Sequence, residues 1–558
     1  MLDRFADGND ATPLLTDADK GNAWRTEESR QEWQDAGAEW VGGTLNGLRG
    51  KLGYLSGLGV TAVWISPILK QRPNTDTYHG YATQDFLEID PHFGSAEDLK
   101  QLVAEAHAAG IRVILDVVLN HAGDVFAYEE QDVHWDGRTH TVAGFRDAEG
   151  RPTLPFGPVD AGVSQDAAVW PAELQRAGSF TAKGPIRDWD RDPEYREGDF
   201  EGLKDITLGG GPTDGYRPSG ALRALTSVYK YWIAYADLDG FRVDTVKHMD
   251  PGAARYFTSA IHEFAQSIGK ENFYLIAEIT GSREFAYRTL EEVGMDAALG
   301  IADVQDQMEW LVKGFRDPQE YFGLFRDSLQ VGKDSHTWFR NRVVTAFDDH
   351  DQVRKGRDKA RFAADDLGKK LGVAAIALNA TTLGIPCLYY GSEQGLDGHG
   401  ANDRYLREAM FGGAFGAFRS RGVHCFDTSN PTYRQVSRIL SLRRRMPALR
   451  RGRQYLRQIS GDGVHFGFPQ LFDGSMRSVV AWSRLFAETE VLAAINTDPE
   501  SARTAWVTVD FDLHEAGSKL TCLFSTDPAS EGLEVPVEAR NGKAVEVTVP
   551  AGGFVVYG

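Results

Sequence analysis

Cysteine is scarce in this sequence: the 558-residue chain contains three, Cys387, Cys425 and Cys522, far apart. There is no Cys-x-x-Cys pair and no Cys/His cluster, which argues against a zinc motif and against a disulfide framework. No apolar run reaches the roughly 18 residues that a membrane-spanning helix needs. No secretory leader is visible, but any leader would lie ahead of Met1, so the compartment is left open between cytoplasmic and exported.

Basic charge is also in deficit. The chain has 60 Lys and Arg against 80 Asp and Glu, a net charge of −20 at pH 7, which disfavours nucleic acid and anionic membranes as partners. Hydrophobic residues make up 42%, enough for a large core, and the length suits a large domain with appendages. We expect a soluble monomer, although the sequence leaves the oligomeric state open.

Apolar, β-branched segments alternate with helical patterns along the first 450 residues. The helix expected over 95–109 is typical, because Ser95 can cap it and Leu99, Leu102 and Val103 share one face. Such alternation predicts parallel strands with helical crossovers. Six strands are predicted at 60–65, 111–115, 240–243, 273–277, 342–346 and 385–390, and a seventh at 297–302.

Eight parallel strands close a (β/α)8 TIM barrel, whereas seven do not. Only residues 1–5 are available for a strand before residue 60. We therefore expect the numbered chain to begin inside or just after the first strand, with residues missing upstream.

Two further regions depart from this rhythm. Residues 122–208, rich in Asp, Gly, Trp and Pro, are too long for a structureless loop and predict an irregular subdomain inserted after strand 3. Short strands at regular spacing after residue 450 predict a C-terminal antiparallel β-sandwich. The expected domains are a catalytic barrel at 1–121 and 209–449, inserted subdomain B at 122–208, and the β-sandwich at 450–558.

Acidic and imidazole side chains follow the apolar segments at four places, 116–121, 240–248, 277–280 and 347–351. The carboxyl ends of parallel barrel strands open onto one face. We therefore expect Asp244, Glu278 and Asp351 to lie in one site although they are far apart in sequence. Three carboxylates beside an arginine and two histidines supply what cleavage of a glycosidic bond requires.

These four segments resemble the signature regions of the α-amylase family, glycoside hydrolase family 13. Residues 78–81 resemble its substrate-stacking motif, and residues 203–205 resemble its extra region late in the inserted subdomain. The resemblance covers essentially the whole chain. It implies the barrel, insertion and sandwich listed above, and a retaining glycoside hydrolase acting on α-glucans.

The resemblance and the residue chemistry agree on the catalytic pair. Retaining hydrolysis uses a nucleophilic carboxylate and a carboxylic acid about 5–5.5 Å apart. Arg242, two residues before Asp244, shares its face of the strand and is expected to lower the pKa of Asp244. Glu278 follows an apolar run that favours the protonated form. Asp244 is thus the expected nucleophile and Glu278 the general acid/base; a plain Arg–Asp ion pair is the alternative.

The substrate-binding residues follow from the resemblance. It implies that Asp351 grips sugar hydroxyls in the transition state, that His121 and His350 bind hydroxyls of the same sugar, and that Tyr81 stacks on its ring. A structural histidine or a barrel-rim aromatic is the alternative for these positions. The remaining expected substrate-binding residues are Arg242, Tyr78, Asp116 and the pair Lys247 and His248, which resembles the leaving-group side of α-1,4-acting members.

Calcium is the one cofactor that the resemblance implies, and no organic cofactor is expected. Family members hold it between barrel and insertion, and the matching positions are Asn120, Asp205 and the His248 carbonyl. Lys204, where many relatives have Pro, would bring a cation close to this site.

A second calcium candidate is the loop of Asp7, Gly8, Asn9 and Asp10. Thr44 stands where a later acidic ligand would be expected. A simple polar turn is the alternative.

The sequence thus predicts a hydrolase that cleaves α-1,4 links of starch, glycogen or maltooligosaccharides through a covalent glycosyl-enzyme. A glucanotransferase, other transglycosylase or isomerase of the same family is the first alternative, and a non-catalytic carbohydrate-binding relative is the second. Ala277, Ile279 and Asp349 differ from residues frequent in the family, which leaves chain-length preference and endo or exo action open.

Overall fold

Seven strands form the wall of a parallel barrel. The computed structural model describes residues 1–9, 11–73, 75–160, 162–326 and 335–558. Five strands form one parallel sheet in chain order, and the bridge from Ala298 to Val343 continues the wall into two more parallel strands. The seven predicted strands are therefore confirmed. Their bounds are Ala62–Ile65, Arg112–Val117, Gly240–Val243, Tyr274–Gly281, Ala297–Ile301, Val344–Thr345 and Ile385–Pro386.

Helices cross between these strands, as the alternating pattern predicts. The helix Ala96–Ala108 begins with a capping box between Ser95 and Asp98, and it buries Leu99, Leu102 and Val103. The other α-helices are Leu2–Phe5, Glu27–Ala36, Leu45–Gly50, Leu52–Leu58, Glu194–Glu197, Gly220–Ala236, Pro251–Ser267, Arg283–Val293, Ala302–Lys313, Pro318–Gly323, Ser335–Arg342, Asp366–Thr381, Pro431–Arg445 and Pro447–Arg451. No helix of the described ranges is both long and apolar enough to cross a membrane.

The first residues are helical, so of the two expected starting points, inside the first strand or just after it, the one inside the strand is wrong. Leu2–Phe5 forms a short helix. The Leu2 amide donates to the Ser66 hydroxyl at 2.9 Å, and the Asp3 carboxylate accepts the amides of Val41 and Gly42 at 3.0 Å each. These hydrogen bonds, each of which involves a side chain, hold the segment against neighbouring loops. A strand would instead form backbone hydrogen bonds with the strand beside it.

A gap remains in the wall between its two ends. Among the described residues, Ala62–Ile65 and Ile385–Pro386 each pair with one neighbouring strand only. A cavity of about 730 Å³ lies between them, and its lining includes Leu2, Trp64 and Leu388. The wall of the described barrel therefore has seven strands.

Residues 122–208 are irregular, as predicted. Short antiparallel pairs and turns surround a cluster of phenylalanines, in which the Phe126 and Phe180 rings lie 5.3 Å apart and Phe145 and Phe156 5.0 Å apart. The short paired strands here and at the barrel rim are Leu69–Gln71 with Thr83–Ile89, His121–Ala122 with Lys204–Asp205, Phe126–Tyr128 with Val142–Phe145, Gly209–Gly210 with Arg217–Pro218, and Lys359–Ala360 with His399–Gly400.

The C-terminal residues form two antiparallel sheets, as expected for a β-sandwich. Alternate residues of Val479–Phe486 face different cores: Val479 and Ala481 lie between the two sheets, while Val480 and Trp482 join the barrel-side core. The first sheet, in order, is Arg453–Leu456, Val479–Phe486, Thr489–Asn496, Phe554–Tyr557, Lys519–Ser525 and Glu534–Pro536; the second is Ile459–Ser460, Arg503–Thr508 and Ala544–Val549.

Candidate active site

The Arg242 side chain, only 1% exposed, joins three carboxylates. Its Nη1 donates to Asp244 Oδ1 at 2.6 Å and to Asp116 Oδ1 at 2.8 Å, and its Nη2 lies 2.5 Å from Glu278 Oε1. The parallel register sets Arg242 beside Asp116 on one neighbouring strand and beside Ile276 on the other. Two of the three carboxylates expected in one site, Asp244 and Glu278, are therefore brought together by Arg242, with Asp116 as the third.

Glu278 is held by a second contact at its other oxygen. Glu278 Oε2 accepts the Thr245 amide at 2.9 Å, and Thr245 has a left-handed φ of +49°, unusual for a residue with a branched side chain. Burial raises the pKa of Glu278 to about 8, with Arg242 opposing and Asp244 and Asp351 adding to the rise. Glu278 is thus a carboxylic acid near neutral pH, as the sequence predicts.

Asp244 shows the opposite of the expected net shift. Burial raises its pKa to about 6, although the Arg242 guanidinium acts to lower it, and the negative charge of Asp116 adds to the rise. Arg242 does act to lower the pKa of Asp244, as predicted, but the predicted net lowering is wrong, because the rise caused by desolvation is larger than the lowering by Arg242. The carboxylate is ionised above about pH 6.

Asp351 lies in the loop after Val344–Thr345, where its carboxylate contacts the side chains of Arg407 and His350. Arg407 Nη2 is 2.6 Å from its Oδ1, and His350 Nε2 is 3.3 Å from its Oδ2. Burial acts to raise its pKa, but His350, Arg407 and Arg242 outweigh burial and lower the pKa to about 2. Asp351 is therefore an anion throughout the working range of most enzymes.

Tyr81 and His350 lie together above the Arg242 cluster. Their rings are nearly parallel, at 6° and 6.0 Å, and the Tyr81 hydroxyl donates to Asp116 Oδ2 at 2.9 Å. Trp64 Nε1 donates to the same oxygen at 3.0 Å. The buried Asp116 carboxylate thus contacts Arg242, Trp64 and Tyr81, which places it to position these side chains.

His121 is buried at the edge of the site, where its ring stacks on Phe200 at 5.7 Å. Neither ring nitrogen makes a hydrogen bond of ordinary geometry within the described chain. Burial lowers its pKa to about 3, so the imidazole is neutral. The Tyr81 backbone accepts from one ring nitrogen at a distorted geometry, so the other nitrogen of the neutral imidazole can accept from a sugar hydroxyl.

Lys247 and His248 face the inserted subdomain. Lys247 Nζ lies 2.7 Å from Asp190 Oδ1, and His248 Nδ1 lies 2.7 Å from the Tyr195 carbonyl oxygen. The predicted leaving-group pair therefore sits where barrel and insertion meet, and among the described residues no hydrogen bond or ion pair joins it to Asp244 or Glu278.

Tyr78 reaches the site through an arginine. Its buried ring lies 3.8 Å from the Arg4 guanidinium, and its hydroxyl is 3.4 Å from Arg407 Nη1. Tyr78 is thus placed to support Arg407, which contacts Asp351.

The expected calcium site between barrel and insertion contains one carboxylate oxygen without a partner within the described chain and a nearby ammonium group. Asp205 contributes a buried oxygen without a hydrogen-bond partner, beside the buried Asn120. The Lys204 ammonium lies close by, 3.2 Å from Asp124 and 3.6 Å from Asp199. Calcium takes six to eight oxygen ligands, and no group of three or more His, Cys, Asp or Glu suited to a metal is found among the described residues. Calcium here stays a prediction.

The N-terminal candidate loop has the geometry of a polar turn. Asp7 Oδ1 accepts the Asn9 amide at 2.8 Å, and Asn9 Oδ1 accepts the Ala11 amide at 3.1 Å. Asp10 lies outside the described residues. Thr44 caps the helix Leu45–Gly50 by accepting the Gly47 amide at 2.9 Å.

Sequence reasoning missed Arg407, Trp64 and the Thr245 amide. Arg407 lies far from every motif along the chain, so spacing carried no signal for it. Trp64 ends a predicted strand just as the acidic residues do, and this position could have identified it. Thr245 acts through its backbone, which residue type does not reveal.

Comparison with known proteins identifies the family. A model of the α-amylase catalytic domain matches residues 2–145 and 216–421. These two ranges span more than half of the chain, which therefore belongs to the α-amylase family, glycoside hydrolase family 13.

Relatives include both hydrolases and glucanotransferases. An α-amylase of Streptomyces lividans is 30% identical over 568 residues, covering 93% of this chain and 56% of the relative. A cyclomaltodextrin glucanotransferase of Klebsiella oxytoca is 27% identical, covering 81% of this chain and 65% of the relative. The chain thus spans somewhat over half the length of these curated relatives.

Solved structures share the fold. The acarbose complex of the Geobacillus thermoleovorans α-amylase has a TM-score of 0.67 at 20% identity, covering 100% of this chain and 96% of that one. A three-domain cyclomaltodextrin glucanotransferase, CldA, has a TM-score of 0.69 at 23% identity, covering 100% and 97%.

Proposed function

We propose that this chain is a retaining hydrolase that cleaves α-1,4 links of starch, glycogen or maltooligosaccharides. The observation that carries the proposal is the Arg242 bridge, which contacts Asp244 through Nη1 and Glu278 through Nη2. The two carboxyl groups share one buried guanidinium, yet their pKa values lie at about 6 and about 8. Between those values one is an anion and the other an acid, the pair that retaining glycosidases use.

The chemistry follows from these protonation states. Glu278 gives its proton to the glycosidic oxygen while the Asp244 carboxylate attacks the anomeric carbon, so the bond to the leaving sugar breaks and a glycosyl ester forms. Glu278, now a carboxylate, takes a proton from water as that water attacks the anomeric carbon and releases Asp244. The configuration at that carbon is inverted twice and so retained.

The surrounding residues would bind the sugar in the cleavage subsite. The Asp351 anion, His350 and one ring nitrogen of His121 offer acceptors and donors for hydroxyls. The Tyr81 ring offers an apolar face next to them. Groups fixed in place before binding stabilise a transition state without reorganising.

A glucanotransferase is the second candidate, supported by the similarity to cyclomaltodextrin glucanotransferases. In that reaction the same glycosyl-enzyme is attacked by a sugar hydroxyl in place of water. The two reactions share every step up to the ester.

Maltoheptaose products, separated by chromatography and followed by proton NMR of the new anomer, test the proposal. We expect shorter oligosaccharides released as the α-anomer, with none formed by Asp244→Asn. Asp462→Asn, the same change at an exposed position of the sandwich, is the control. Products longer than the substrate would favour the glucanotransferase, and a β-anomer or an active Asp244→Asn would contradict the mechanism.

A further inference from the structure

The loop that carries Asp351 has an unusual backbone conformation directly after that residue. The preceding strand, Val344–Thr345, ends well before the loop reaches Asp351. Gln352, the next residue, has a left-handed φ of +42°, a conformation that costs energy in any residue other than glycine. Contacts from outside the strand must therefore hold the backbone of Asp351 and Gln352 in place.

The side chain of Asp349 holds the amides of these two residues. Its Oδ1 accepts the Asp351 amide at 2.8 Å and also accepts the Gln352 amide. On the carbonyl side, Lys359 Nζ donates to the carbonyl oxygens of the same two residues. The backbone that aims the Asp351 carboxylate is thus fixed by an anion at its amides and by a cation at its carbonyls.

The second oxygen of Asp349 is anchored to a barrel helix. Asp349 Oδ2 accepts Gln305 Nε2 at 2.8 Å, and Gln305 is 7% exposed on the helix Ala302–Lys313. Arg354 fixes the orientation of that amide, because its Nη1 donates to Gln305 Oε1 at 2.9 Å. A guanidinium can only donate, so the Gln305 oxygen faces Arg354 and the Gln305 nitrogen faces Asp349.

This arrangement needs an acceptor at both ends of the side chain at position 349. A carboxylate supplies two acceptor oxygens, whereas an asparagine supplies one oxygen and one NH₂ donor. In either orientation, an asparagine would place its NH₂ against donors, either the two loop amides or Gln305 Nε2. The identity of residue 305 therefore determines which side chain position 349 can hold.

We propose that Asp349 is a positioning residue, which acts on the reaction by holding the backbone of Asp351, and that Gln305 makes a carboxylate the required group at position 349. The consequence for turnover rests on the proposed function, in which Asp351 binds sugar hydroxyls in the transition state. A misplaced Asp351 should lower kcat more than it changes KM, because an interaction made in the transition state is weakened.

A double-mutant cycle with maltoheptaose tests the proposal. We expect kcat to fall about tenfold in Asp349→Asn, with a smaller change in KM. Gln305→Glu alone should also lower kcat, because two carboxylates then face each other. The double variant, Gln305→Glu with Asp349→Asn, should recover most of the lost kcat, because a glutamate oxygen can accept from the asparagine NH₂. Such recovery measures the coupling between the two positions.

Hydrogen–deuterium exchange of the peptide spanning residues 348–355, followed by mass spectrometry, reads the loop without relying on turnover. We expect faster exchange in each single variant and restored protection in the double variant. Asp512→Asn, the same change at an exposed position of the sandwich, is the matched control and should alter neither exchange nor kcat. Thermal melting checks that every variant is folded.

An unchanged kcat in folded Asp349→Asn, or losses that simply add in the double variant, would overturn the proposal. Failure of the proposed function gives a different result. If the unaltered chain turned over no maltoheptaose, the proposed hydrolase would be contradicted, while restored protection in the double variant would still support Asp349 as the residue that holds the loop. Exchange that stays fast in the double variant would overturn that role.

Discussion

At the scale of single residues, the site depends on burial acting unequally on two acids. Asp244 must be ionised to attack, so kcat/KM should rise as the pH increases through about 6. Glu278 must be protonated to act as an acid, so kcat/KM should fall as the pH increases through about 8. We therefore expect a bell-shaped profile with maltoheptaose, its limbs reporting the free enzyme.

A Glu278→Gln variant assigns the alkaline limb. With an aryl maltoside whose leaving group needs no proton, we expect bond cleavage to persist and the fall above about pH 8 to vanish. An alkaline limb at the same pH in this variant would assign it to another group.

Arg407 is the residue-scale prediction that sequence spacing could not supply. Its 2.6 Å contact and positive charge help to keep the pKa of Asp351 low. Arg407→Ala should lower kcat/KM by about 10²-fold, the loss of about 2.7 kcal/mol expected when a charged hydrogen bond at the site is removed. Arg407→Lys should recover part of this loss, because the charge remains without the planar guanidinium. Equal losses in both variants would argue that packing, not charge, is what matters.

The limits of prediction are also clearest at single residues. Asp244, Glu278 and Asp351 could be placed because each follows a strand, and parallel strands end on one face. The direction of the pKa shift of Asp244 could not be predicted, because it depends on how completely the folded chain buries the carboxylate. Residues 1–5 were the only ones available for a strand before residue 60, but residues 2–5 form a helix, and the amides of Val41 and Gly42 donate to the Asp3 carboxylate. Such bonds join residues too far apart in the chain for a local pattern to show.

At the scale of elements, the close approach of two strands places Arg242. Gly240 pairs with Tyr274, and a Cβ at Gly240 would lie 2.5 Å from the Tyr274 carbonyl oxygen. Gly240→Ala should therefore push the strands apart, costing about 1–3 kcal/mol of unfolding free energy. It should also lower activity, because Arg242 lies two residues further along.

Gly53→Ala is the matched control for Gly240→Ala. A Cβ at Gly53 meets no atom within 4 Å, and the residue lies in the helix Leu52–Leu58. We expect a neutral or stabilising change of up to about 1 kcal/mol. Chemical denaturation of both variants, with activity measured in parallel, checks the pair; equal effects would show that the strand contact is not tight.

At the scale of the whole molecule, the gap in the barrel wall leads us to expect that filling it with a strand would stabilise the protein. Within the part of the chain that the structure describes, Ala62–Ile65 and Ile385–Pro386 leave unpaired edges on either side of a cavity of about 730 Å³, and Met1 lines that cavity. A strand placed there would pair with both edges and cover the half-buried Trp64 and Leu388. Each additional Å² of apolar surface removed from water contributes about 25 cal/mol.

Adding five strand-forming residues ahead of Met1, with Val and Ile alternating with Thr, should therefore raise the Tm by about 1 °C for each kcal/mol gained, because a chain of this length has a large unfolding entropy. Binding of a dye that reports exposed apolar surface should fall in the same protein. A Gly/Ser extension of equal length is the control, because it has the same chain length but low strand propensity. If the two extensions gave the same Tm and the same dye binding, the cavity would not accept a strand.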